Sequence, residues 1–327
     1  MHASPILQVH PSLRCNLACA HCYSVSGPHA RDEVPLRALE RAVEDAADEG
    51  YTQLAVSGGE PLMYEHLTRL LASGRRAGMM TSLVTNGMLV HHPQRWEPVV
   101  PLLDAVAISI DGTRAEHDAI RGKAGAFDRT IENLARVRES GVPFAIIVTL
   151  TQYNVGSLES VVRLAAEAGA TGVQVHPLSL VGRASVGLAD QRPDELELMT
   201  AIVESQWLGD ELGIPVELDA ADRVRLARYR HDIVPESADV SLGELCPVLV
   251  VAADGSVRPL TWGIAPSVWL GSLHDAPLAD LVESWRETEA PARLVDACTR
   301  AWLDLTSPTG PAAAYWLDEV SERVAAG

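Results

Sequence analysis

Short apolar runs alternate with amphipathic stretches from residue 6 to about residue 217, the pattern of repeated strand–helix units around a parallel sheet. Residues 6–9 and 51–56 read as the first two strands, and 81–85, 105–110, 144–150 and 172–176 as the next four. Between them the apolar spacing changes to a helical period. In 35–49, Leu36, Leu39, Val43 and Ala46 fall on one face, Pro35 suits the first turn and Gly50 the stop. Further helices are predicted over 65–77, from Phe127 through Ile131 and Leu134 to Gly141, and over 158–168. A loop-like stretch, 179–193, leads into a helix that ends near Leu212, and a short apolar run, 214–218, closes this part. The expected fold class is α/β, with residues 1–217 as the main domain and 218–327 as a small α+β domain. In the latter, alternation around Asp254-Gly255 predicts a hairpin, Leu278, Leu281 and Trp285 mark a helix, and a last helix is predicted near 312–325.

The chemistry is concentrated just after the first strand. Cys15, Cys19 and Cys22 form a C-x3-C-x2-C run. Three closely spaced cysteines cannot all pair as disulfides, and a structural zinc site usually takes four ligands, for which His21 could be the fourth although it is squeezed between the others in sequence. Three thiolates on a four-iron cluster leave one iron open, which suits catalysis better than electron storage. After the second strand comes Ser57-Gly58-Gly59-Glu60-Pro61.

With both motifs in this order, the chain resembles the radical S-adenosylmethionine (SAM) superfamily. That family carries C-x3-C-x2-C after its first strand and Gly-Gly-Glu-Pro after its second. The position before the last cysteine is often aromatic there and is His21 here. The resemblance implies a partial (β/α)6 barrel. It implies that Cys15, Cys19 and Cys22 ligate one [4Fe-4S] cluster whose fourth iron is chelated by SAM. One-electron reduction would then yield methionine and a 5′-deoxyadenosyl radical that abstracts hydrogen from substrate. It also implies an external one-electron donor such as flavodoxin or ferredoxin.

Working residues of a parallel barrel gather at the C-terminal ends of its strands. The cysteines, Gly58 to Pro61, Asn86, Ser109 and Asp111 all obey that rule. By the resemblance, Gly58, Gly59, Glu60 and Pro61 would meet the SAM ammonium, with Glu60 as its charge partner. Ser109 and Asp111 would meet its carboxylate and ribose, with Asn86, Thr149 and Asn154 nearby. Asn86-Gly87 and Asp111-Gly112 are equally ordinary turn signals. His117, Arg121, Gly122, Gly125 and Phe127 resemble the segment after strand four in the subgroup with a C-terminal SPASM or twitch domain, read here as a loop capping the next helix, with Arg121 able to meet substrate.

Cys246, the hairpin and the following helix resemble the start of such a domain, in which a second cysteine would stand where Leu260 is. Only Cys298 follows, and two thiolates are too few for an auxiliary cluster. The region is therefore read as a degenerate twitch domain. Cys246 and Cys298 are read as buried small hydrophobes, or one of them as a thiol that returns a hydrogen atom to a substrate radical. Trp262, Trp269, Trp302 and Trp316 are candidates for core packing or a pocket wall.

Composition narrows the partners. Net charge is 26 − 44 = −18, against a nucleic-acid partner, which needs a basic footprint. No apolar stretch approaches the length of a membrane span, and no cationic, apolar leader precedes the first strand, so a cytoplasmic location is expected. The subgroup resemblance implies a peptide substrate, a ribosomally made natural-product precursor. Against this stands the start of the first strand at residue 6, which leaves no room for an N-terminal recognition domain; a separate protein could supply that function. The alternative is a dehydrogenase or rearrangement enzyme of the same family acting on a small metabolite.

Overall fold

The computed structural model describes residues 4–326. Its spine is a sheet built from β1 (Ile6–Val9), β2 (Gln53–Val56), β3 (Met80–Thr85), β4 (Ala105–Ser109), β5 (Phe144–Leu150), β6 (Gly172–Pro177) and β7 (Val216–Leu218). Each pairs in parallel with the next. β8 (Ala220–Asp222) lies apart, while β9 (Val248–Val251) returns to pair in parallel with β1, Val9 opposite Val251. β10 (Ser256–Pro259) and β11 (Gly271–Ser272) extend that edge antiparallel, giving a ten-stranded order β11-β10-β9-β1-β2-β3-β4-β5-β6-β7. The expected six-strand barrel is thus present and is lengthened at both edges. The 217/218 division falls inside β7, and the hairpin predicted around Asp254-Gly255 continues the main sheet.

The two faces of the sheet differ in a way that positions the site. Leu7, Val9, Leu54, Val56, Leu83, Ile108, Ile146, Val148, Val173 and Val175 are buried, with the helices on their side. A Cβ on Gly74, in helix Leu67–Arg76, would run into the side chains of Leu54 and Thr81, so glycine lets that helix lie close on β2 and β3. The alternate positions, Gln8, Ala55, Ser82, Ala107, Ala145, Gln174 and His176, are only half-buried. Small and polar side chains there leave the inner face of the sheet open, as a substrate-holding barrel requires.

Helix Leu36–Asp48 forms as the sequence predicts, burying Leu39, Ala42, Val43 and Ala46. Two expectations are corrected. The segment after β4 is not a loop: helix Arg114–Arg121 opens on a Thr113/Glu116 capping box, with Glu116 accepting from the Thr113 N–H at 2.7 Å, and stops at Gly122 with φ 66°. Its Asp118 then accepts from the Gly125 and Phe127 N–H groups and caps the next helix, Ala126–Glu139. Near the C-terminus, Ala313–Tyr315 is a strand, β12, paired antiparallel with β8, and the helix begins only at Trp316. No helix among the described residues is long and apolar enough to cross a membrane.

Candidate active site

The loop after β1 brings the three cysteines together. Cys15 and Cys19 are buried with Leu17, Met88 and Ala126, and Cys22 packs against them. Each sulfur has a polar neighbour of its own. Cys15 Sγ accepts from the Leu17 N–H at 3.4 Å, with Asn86 Nδ2 at 4.0 Å. Arg121 Nη1 lies 3.9 Å from Cys19 Sγ, and the Ser24 hydroxyl 3.4 Å from Cys22 Sγ. Burial, and then the Glu60 charge, pushes the Cys15 thiol up to about 12. Burial also raises Cys19, against the lowering pull of Arg121. A bound cation would supply the charge that turns such thiols into thiolate ligands.

Among the described residues, no three His, Cys, Asp or Glu side chains are grouped to share one metal ion. A single zinc ion would need its sulfurs about 2.3 Å from one centre. A cubane spreads its thiolates over separate irons, and three cysteines around a packed loop fit that arrangement.

The Gly-Gly-Glu-Pro turn is stitched to this loop. The Gly59 N–H donates to the Ser12 carbonyl and the Glu60 N–H to the Arg14 carbonyl, both at 2.9 Å. A Cβ on Gly59 would collide with the Arg14 carbonyl, and one on Gly58, where φ is 101°, would sit 2.9 Å from the Ser12 oxygen. The glycines therefore serve the approach of two loops. Glu60 is 2% exposed and turned inward. Its carboxylate accepts from Thr85 Oγ1 at 2.7 Å, the Asn86 N–H at 3.0 Å and the Leu62 N–H at 3.1 Å. Burial pushes it above the usual carboxylate range, against those hydrogen bonds. Pro61 opens the short turn Pro61–Met63 behind it. Asn86 joins the third loop to the first, donating from Nδ2 to Asn16 Oδ1 at 2.9 Å.

Asp111 is fully buried, and both its oxygens are engaged. Oδ1 accepts from the Thr149 N–H at 3.0 Å, and Oδ2 lies 2.6 Å from Arg121 Nε, a charge pair rather than an aligned hydrogen bond. Burial opposes ionisation of Asp111, yet Arg121, His21 and His117 outweigh it and hold the carboxyl below its usual range. Asn154 Nδ2 donates to the Asp111 carbonyl at 2.9 Å. Arg121, read from the sequence as able to meet substrate, is 8% exposed and held between Asp111 and Cys19. Ser109 is buried at the end of β4. Cys246 and Cys298 are not brought to this site: they are 0% and 1% exposed within the main hydrophobic core.

Residues 9–165 match the radical SAM superfamily. They form a radical SAM domain. Among curated proteins, the chain is 28% identical over 221 residues to the Fe-coproporphyrin III synthase of Methanosarcina barkeri, covering 67% of this chain and 55% of that one. It is 29% identical over 255 residues to the PqqA peptide cyclase of Ruegeria pomeroyi, covering 75% and 64%. The chain thus spans 55% and 64% of the length of these two relatives. Among solved structures, Streptococcus suis SuiB bound to its precursor peptide SuiA shares the fold, with a TM-score of 0.68, 17% identity and coverage of 90% of this chain and 67% of that one.

Around the radical SAM motifs stand further residues whose place at the site the sequence does not reveal. Gly182 and Arg183, after β6, latch onto the cysteine loop: Arg183 Nε donates to the Cys19 carbonyl at 2.8 Å and Nη2 to the Ser26 carbonyl at 2.7 Å. His10 stacks on Trp262 with centroids 4.7 Å apart, and Tyr23 tilts against both rings. His176 Nδ1 hydrogen-bonds Asp219 at the C-terminal ends of β6 and β7. The rule that barrel strands end in working residues would have found His176 and Asp219. Nothing local marks the pairing of His10 with Trp262.

Proposed function

We propose that this chain is a radical SAM enzyme that acts on a peptide, a ribosomal natural-product precursor. The observation that carries the chemistry is the packing of three cysteines, each with its own polar neighbour, against the Gly-Gly-Glu-Pro turn at the C-terminal mouth of a parallel sheet. Cys15, Cys19 and Cys22 would hold the one [4Fe-4S] cluster. Bound there with SAM, it would supply one-electron cleavage of the sulfonium. The strip from Gly58 to Pro61 would face the SAM amino group through backbone, and Ser109 its carboxylate. Glu60 and Asp111, tied into the protein, would act by holding the loops in place. An external donor such as flavodoxin or ferredoxin would supply the electron, and a separate protein could present the peptide.

Support for a peptide substrate comes from the PqqA peptide cyclase likeness and from the fold shared with peptide-bound SuiB. A small-metabolite substrate is the second reading, favoured by the similar identity to an Fe-coproporphyrin III synthase. We read residues 218–327 as a degenerate SPASM or twitch region: Cys246 precedes the β9–β10 hairpin, Leu260 stands in the second cysteine's place, and both remaining thiols lie in the core. The test is anaerobic reconstitution followed by reduction with SAM. Reductive formation of 5′-deoxyadenosine and about four irons per chain are expected. About eight irons would overturn the degenerate-region reading, and absence of any cubane would overturn the whole. Deuterium passing from a labelled precursor peptide into 5′-deoxyadenosine would identify the substrate class. Transfer from a labelled metabolite instead would favour the second reading.

A further inference from the structure

We propose that Arg121 sets the reduction potential of the cluster at Cys15, Cys19 and Cys22 through its contact with the Cys19 sulfur. The inference rests on the cluster reading above and goes beyond it by naming the residue that tunes the group. Of the groups beside the three sulfurs, the Leu17 N–H, the Asn86 amide and the Ser24 hydroxyl are neutral. Arg121 alone of these brings a full positive charge, with Nη1 3.9 Å from Cys19 Sγ. Cluster potentials follow net charge, hydrogen bonds to sulfur and solvent exposure. A cation beside one thiolate favours the more negative, reduced cluster and so raises the potential.

The geometry holds that cation in place. Arg121 is 8% exposed, and its Nε faces Asp111 Oδ2 at 2.6 Å while Nη1 faces the sulfur. Asp111 is itself pinned by the Thr149 N–H, and its backbone carbonyl by Asn154 Nδ2. A guanidinium can face a carboxylate with one nitrogen and present another to a neighbour at the same time, which the single ammonium nitrogen of a lysine cannot do in the same fixed geometry. Arg183, the other guanidinium on the cysteine loop, binds backbone carbonyls of Cys19 and Ser26. Arg121 and Asp111 therefore act on the cluster with opposite signs, the cation through direct contact and the carboxylate from behind it.

Opposite signs separate tuning from a merely structural ion pair. The full chain is reconstituted anaerobically without SAM, and the reduced-cluster electron paramagnetic resonance signal is titrated against potential, with iron content and melting temperature recorded alongside. Arg121→Gln should move the potential to more negative values, Asp111→Asn to more positive values, and Arg121→Lys should fall between Arg121→Gln and the native chain. Displacement of the Gln and Asn variants in the same direction, or of neither, overturns the proposal. If Arg121→Gln does not retain iron, Asp111→Asn decides: an unchanged or more negative potential overturns it. A native chain that forms no cubane would instead sink the cluster reading on which the proposal rests, an outcome the iron content reveals first.

Discussion

The cysteine loop and the C-terminal region hold the same residue type in opposite surroundings. Cys15, Cys19 and Cys22 lie on a loop at the sheet mouth, each beside a polar group: a backbone N–H and a hydroxyl of the loop itself for Cys15 and Cys22, and the guanidinium of Arg121 for Cys19. Cys246 and Cys298 lie in the core, where burial alone pushes Cys298 up to about 12 and burial with the neighbouring Cys298 raises Cys246 further. A thiol becomes a site when polar groups are arranged around it. A thiol among leucines is a small hydrophobe. The C-terminal region reaches the loop by another route. Arg258 is sandwiched between Trp262 and Trp269 at 4.4 and 4.3 Å from the ring centroids, and Trp262 stacks in turn on His10.

The largest effect should come from breaking the first half of that contrast. Cys19→Ala should abolish cluster assembly and with it all SAM cleavage, read by iron analysis and by 5′-deoxyadenosine formation. Full retention of both would remove Cys19 from the site. The next effect comes from the point where the two regions meet. His10 is fully buried between Tyr23 and Trp262, and burial, with the Arg258 charge behind it, pushes its pKa down to about 3. The folded form therefore binds its proton less readily than the unfolded chain, whose histidine titrates near 6.5. Stability should fall as pH drops from 6.5 toward 3, because the unfolded chain takes up the proton first. The full loss from this one group is on the order of 5 kcal/mol. Denaturant titrations at pH 7 and pH 4.5 check it; in His10→Gln the difference between the two should shrink. An equal pH response in both proteins would show that His10 does not join the regions as described.

Much of this arrangement was legible in the chain because it rests on local pattern. The strands at 144–150 and 172–176 alternate or run apolar, so their positions needed no tertiary help. The helix Arg114–Arg121 is hidden in the sequence because Arg114, Glu116, His117, Asp118 and Arg121 read as a polar loop, against which the single Thr113/Glu116 capping box is a weak signal. β12 was hidden because Ala313 and Ala314 favour helix, and only pairing with β8 makes them a strand. At the site, spacing revealed the cysteines and the glycine turn. It could not reveal that Glu60 turns to Thr85 and Asn86, or that Asp111 turns to Arg121, because those contacts depend on where loops from different strands meet. The stack of His10 on Trp262 joins residues 252 positions apart, 262 − 10, and no sequence window spans it.

A smaller effect should follow from loosening the C-terminal side alone. Arg258 is 7% exposed, donates through Nε to Ser256 Oγ at 2.8 Å and through Nη1 to the Trp262 carbonyl at 2.9 Å, and lies over two indole rings. Arg258→Met keeps most of the volume and loses the charge, which should cost about 2 kcal/mol, the range of a desolvated cation–π contact. Iron content should stay at the native level, since no atom of Arg258 reaches the three sulfurs' polar neighbours described above. A variant that melts normally but has lost its iron would show that the hairpin supports the cysteine loop more directly than its contacts indicate.

The mildest perturbation gives the sharpest statement of the contrast. Cys298 sits in helix Ala290–Thr306 among Leu294, Ala297 and Ala301, all buried. Cys298→Ala removes one sulfur atom from a packed core and should cost about 1 kcal/mol, the scale of a small cavity. Because the thiol is 1% exposed and lies outside the cysteine-loop cluster, iron content and 5′-deoxyadenosine yield should both equal those of the native chain. The discriminating measurement is product formation on a substrate that accepts a hydrogen atom back. If Cys298→Ala still forms 5′-deoxyadenosine yet leaves the substrate radical unquenched, the thiol reaches the barrel in solution and works as a hydrogen donor. Unchanged product with a slightly lower melting temperature would leave it a packing residue, and the polar groups around Cys15, Cys19 and Cys22 as the feature that separates a working sulfur from a silent one.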